Sequence, residues 1–175
     1  MTRLIRLSLA VTLSTVALAS AASAQRAAAR SAVPSLAVAA LNTTAAAEPA
    51  RPARTVVRPN DVLRYTLTFT NPTARTLANV ELKNPMPAGV HFVPGSTHAS
   101  RADARVEFSA DGGQSWSEHP METALVDGQP VQRLVAADRY THVRWIVGGK
   151  VAPKATVTAD FEARVDGPSM PAAGR

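Results

Sequence analysis

Apolar and polar side chains take turns along much of this chain. Leu63, Tyr65, Leu67 and Phe69 alternate with Arg64, Thr66, Thr68 and Thr70. A period of two, rich in aromatic and β-branched residues, predicts a strand with one buried face. The pattern returns in Val157, Ala159, Phe161, Ala163 and Val165, set against Thr158, Asp160, Glu162 and Arg164. It returns again from Tyr140 to Val147, where Thr141, Val143, Trp145 and Val147 share a face, and from Leu77 to Lys83, where Val80 and Leu82 do. Leu36, Val38 and Ala40 predict a first strand near Ser35 to Asn42. Val90, Phe92 and Val93 predict a short one closed by Pro94-Gly95.

The punctuation between these runs is equally informative. Asn71-Pro72-Thr73 reads as a turn, and Pro85 and Pro87 exclude a central strand there because proline has no N–H for a ladder. Val106 and Phe108 open a hairpin that turns at Asp111-Gly112-Gly113, with Trp116 returning on the far strand and packing into the core. Glu118 to Ala136 reads as irregular apart from a turn at Asp127-Gly128. Thr43 to Arg58, with Pro49 and Pro52, reads as an exposed connection. Seven or eight short strands and no convincing amphipathic helix predict an all-β fold, an antiparallel β-sandwich. We place it as one domain over residues 35–166, followed by a disordered tail over 167–175.

The N-terminal residues follow another rule. Arg3 and Arg6 precede an apolar run from Leu7 to Ala19, and Ala22-Ser23-Ala24 fits the small-x-small cleavage pattern, so residues 1–24 read as a signal peptide. The run is short for crossing a bilayer, which favours cleavage over anchoring. Residues 25–34 form a flexible Ala/Arg-rich spacer. These readings place the chain in the periplasm, at the cell surface or outside the cell, with no transmembrane segment in the mature chain. The formal charge of +6 changes little, because the excess of arginine over acid lies before Pro59 while the signs nearly cancel beyond it. No basic face is left for nucleic acid. The absence of cysteine removes disulfides, thiolate metal sites and cysteine nucleophiles.

Two blocks resemble a known family. Arg58-Pro59-Asn60-Asp61 followed by Tyr65-Thr66-Leu67 and the terminal Asn71 resembles the opening of the bacterial "conserved repeat" domain, domain of unknown function 11. Asn79-Val80, Asn84-Pro85-Met86-Pro87-Ala88-Gly89 and Phe92-Val93 resemble its next signature, and the strands around Trp145 and Phe161 its closing ones. The resemblance implies an immunoglobulin-like sandwich on the exported side of the cell, in single copy and without catalytic residues. Asn60 stands where the family prefers glycine, and Asn84 where it often has aspartate.

The candidate chemistry is sparse. Ser109-Ala110-Asp111-Gly112-Gly113-Gln114-Ser115-Trp116 matches an Asp-box, the hairpin motif of sialidase-like propellers. One copy makes no propeller, so the motif reads first as a hairpin staple and second as a trace of a carbohydrate-binding or glycosidase-related protein. Glycoside hydrolysis needs two facing carboxylates. Asp103, Glu107, Asp111, Glu118 and Glu122 are read instead as solvated turn and edge residues. His91, His98, His119 and His142 show no metal-ligand spacing. No catalytic, cofactor-binding or metal residue is assigned. The chain is expected to be a non-catalytic structural or protein-interaction module, with no cofactor and with another exported or surface protein as partner.

Overall fold

The computed structural model describes residues 33–48 and 57–167, which belong to a compact unit spanning Val33–Arg175. The signal peptide expected over 1–24, most of the 25–34 spacer, and all of the expected tail except Gly167 lie outside the described residues.

The alternating runs become strands that pair antiparallel throughout. β1 (Ser35–Asn42), β2 (Val62–Thr70), β10 (Thr156–Val165) and β4 (Val90–Phe92) lie side by side in that order, and the two-residue β5 (His98–Ala99) also pairs with β10. A second sheet has the order β3 (Glu81–Pro85), β9 (His142–Val147) and β6 (Ala104–Ser109). A two-stranded ribbon joins β7 (Met121–Val126) to β8 (Gln129–Leu134). The predicted all-β sandwich is present, with ten strands among the described residues rather than seven or eight.

The buried positions are those the alternation marks. Leu63, Tyr65 and Leu67 from β2 meet Val157, Ala159, Phe161 and Ala163 from β10, and Leu82, Val143, Trp145 and Val147 cover them from the other sheet. Tyr65 stacks on Phe161 at 5.0 Å between ring centroids, and Trp145 lies 6.1 Å from Phe161. Such aromatic contacts add to area burial, which supplies the main driving force.

Two expectations are corrected. The connection after β1 begins with a short helix, α1 (Thr43–Ala47), whose Ala45 is buried. Asn42 caps it, its side chain accepting from the Ala45 N–H at 2.9 Å, while Thr43 Oγ1 donates to the Val62 carbonyl and Val62 N–H donates to Thr44 Oγ1. Residues 118–136 are not irregular but hold the β7–β8 hairpin. Asp127 and Gly128 both take positive φ, 52° and 77°, the primed turn that matches strand twist. Pro85 pairs with His142 in β3, which is an edge strand and not a central one, as its missing N–H requires.

Candidate functional site

The Asp-box closes on itself. Asp111 Oδ1 accepts from Ser109 Oγ at 2.6 Å and from the Gln114 N–H at 2.9 Å, while Oδ2 accepts from Ser115 Oγ at 2.5 Å and both oxygens from the Ser115 N–H at 3.0 Å. These donors hold the Asp111 carboxyl far below the usual carboxylate range, the Ser109 hydroxyl contributing most. Gly112 and Gly113 supply φ of 76° and 88°, and Trp116 Nε1 donates to the Gly113 carbonyl at 3.0 Å. The Asp111 carboxylate and the Trp116 N–H are thus both engaged in shaping the turn.

Trp116 is not in the core, contrary to its sequence reading. Ser117 pairs with Phe108, whose side chain points inward, so Trp116, one residue earlier, falls on the outer face. There it lies half-buried under the Arg144 guanidinium, 4.5 Å from the ring centroid, with Lys83 Nζ at 5.7 Å and His142 edge-on. Beneath this layer Arg144 donates to Glu107 Oε2 through Nη2 at 2.6 Å and Nε at 2.9 Å. Glu107 is therefore buried rather than solvated, paired with Arg144 and with Arg105 at 3.2 Å.

The other carboxylates are also matched by cations. Asp103 accepts from Arg101 Nη2 at 2.5 Å, which lowers its pKa, and Glu118 lies 3.4 Å from Arg105. Glu122 sits between Arg139 and Arg133, which lower its pKa in that order. His91 Nδ1 contacts Asp166 Oδ1 at 2.9 Å. The structure does not bring the four histidines together, and among the described residues no three or more His, Asp or Glu side chains group as metal ligands.

A concavity lies where the two sheets separate. Between the edge strands β4 and β6 runs a cleft of about 430 Å³, with Phe92, Phe108 and Tyr140 as its floor. Phe92 and Phe108 are 4.9 Å apart and Phe108 stacks on Tyr140 at 4.7 Å. Burial pushes the Tyr140 phenol pKa up. Thr97, Arg105, Glu118 and His119 form the rim.

The cleft walls carry open backbone. Phe108 exchanges both main-chain bonds with Ser117, at 2.8 and 3.1 Å, so Val106, two residues earlier, faces the same outer edge. Its N–H and C=O, and the C=O of Ala104, find no partner among the described residues. Across the seam, Val93 N–H donates to Glu162, which turns Phe92 N–H and C=O away from β10 and toward the cleft. Sequence periodicity identified these strands but not their position at the sheet margins, which depends on long-range pairing. Among the described residues no helix is long and apolar enough to cross a membrane.

No model of a known protein family matches the chain, and no curated protein matches it.

Proposed function

We propose that the protein is an exported, non-catalytic interaction module whose β4–β6 seam receives an extended segment of another exported polypeptide. The observation that carries this reading is the pairing of an aromatic floor with unmatched backbone donors and acceptors on both walls. Strand addition uses that combination: main-chain bonds supply affinity and one alternating side chain in a pocket supplies selectivity. An aliphatic or aromatic side chain buried in the cleft would contribute about 1.5–3 kcal/mol. The signal-peptide pattern of residues 1–24 supports export, and the quoted motifs support kinship with the bacterial repeat domain.

The carbohydrate alternative has less support. A sugar-binding aromatic needs a free ring face, whereas the Trp116 ring lies against the Arg144 guanidinium and Trp145 is buried.

Selection of a displayed random-peptide library on the purified protein tests the reading. Recovered peptides should be extended and apolar at alternate positions, and Val106→Pro, which removes the open N–H, should weaken them at least about tenfold. Peptides indifferent to Val106→Pro would place recognition elsewhere. Cell fractionation should find the chain outside the cytoplasm, beginning at Gln25; an uncleaved cytosolic chain would overturn export.

A further inference from the structure

A second open edge lies on the opposite margin of the larger sheet. Asn71 N–H donates to the Ala155 carbonyl, so the odd-numbered residues of β2 bond to β10 and the even-numbered ones to β1. In β1 the partners of Thr70, Thr68, Thr66 and Arg64 are Ser35, Ala37, Ala39 and Leu41. Leu36, Val38 and Ala40 therefore direct all their N–H and C=O groups outward, where no described residue meets them.

This edge lacks the usual protections. Residues 33–47 contain no ionisable side chain, and β1 has neither an internal proline nor a bulge. Leu36, Val38 and Ala40 stand on the core side of the sheet, level with Phe69, Leu67 and Tyr65. The second sheet does not cover them, leaving Leu36 42% and Val38 49% exposed.

We propose that β1 pairs antiparallel with β1 of a second copy of this chain, about a two-fold axis through Val38. The geometry selects both partner and register. With Val38 opposite Val38, Leu36 falls opposite Ala40, and all six outward groups of each strand are matched. Pro34, which has no N–H, then falls opposite Asn42, the α1 cap where the strand ends, so the pairing stops where both chains cease to be competent. The two Leu36-Val38-Ala40 rows would close into one apolar strip, and each five-stranded sheet would become half of a continuous ten-stranded one. An isologous contact of this kind closes on itself and does not propagate into fibres.

The cysteine-free sequence makes the test specific. Hydrogen-bonded antiparallel pairs lie about 5.5 Å apart at Cα, within disulfide range. Under mild oxidation of the full chain, Val38→Cys should become a covalent dimer. Leu41→Cys, whose opposite number in this register is Ser35, should not. Sedimentation from about 1 to 100 μM should show a wild-type dimer, and Val38→Lys should convert it to monomer with an unchanged circular-dichroism spectrum. If Val38→Lys misfolds, the two cysteine variants decide. A wild type that is monomeric throughout, a Val38→Lys dimer, or equal cross-linking at positions 38 and 41 would overturn the proposal. Each of these outcomes leaves peptide binding at the opposite seam untouched, so the two readings can fail separately.

Discussion

Asn71 shows how much a single side chain can join. It is fully buried, and its Nδ2 donates to the carbonyls of Arg75, Ala152 and Val151 at 2.8–3.1 Å while Oδ1 accepts from Thr73 Oγ1 at 2.7 Å. From the sequence it was legible as the start of a turn and as the closing Asn of the family-like opening, but not as a joint, because its partners around residue 151 are about eighty positions away. Asn71→Ala should cost about 3 kcal/mol by leaving buried carbonyls unmatched, measured by urea denaturation. Trp145→Ala should cost about 3–5 kcal/mol in the same experiment, since the ring fills the centre of the core. Arg144→Ala should cost about 1–3 kcal/mol, because it strips Glu107 of its main partner and uncovers Trp116, whose fluorescence should become accessible to iodide. Asp111 sets a pH dependence. Its folded pKa is depressed, so its contribution is present above the unfolded value near 4 and is lost as pH falls below that value. Asp111→Asn should therefore flatten the decline in stability between about pH 4 and pH 2, followed by denaturation at fixed pH values.

At the scale of elements, legibility tracked burial. β2, β9 and β10 each have a face against the core, and their period-two patterns marked them with nearly correct ends. β1 was also readable, because Leu36, Val38 and Ala40 keep the phase of a sheet face even where the second sheet does not reach. The β7–β8 hairpin was not, since no side chain on either of its strands is fully buried. Leu125 is 76% exposed and pairs with Pro130, so the apolar residues carry no in-and-out alternation. What holds that hairpin is its turn and its charges: Glu122 bonds to Arg133 across the ribbon at 2.8 Å and also to Arg139. Asp127→Val should loosen it, because a β-branched residue resists the positive φ required there, and amide exchange in β7 and β8 should quicken while that of β9 stays slow. The short helix α1 was hidden for a related reason, since its capping by Asn42 is local but its docking against Val62 is not.

At the scale of the molecule, two unequal sheets explain where its surfaces for contact lie. Five strands facing three cannot match edge to edge. On one side β1 extends beyond its cover, and on the other β4 and β6 part over an aromatic floor. The sandwich itself could be inferred from the sequence, but this inequality could not, because it follows from which strands pair rather than from any one strand's composition. The most direct test of the seam as a working surface is amide hydrogen exchange at Val106, read by NMR with and without a peptide selected on the protein. This N–H, unbonded in the free chain, should exchange rapidly and become protected at least about a hundredfold when the peptide binds. A Val106 amide that stays fast while the peptide is bound would contradict that role for the seam.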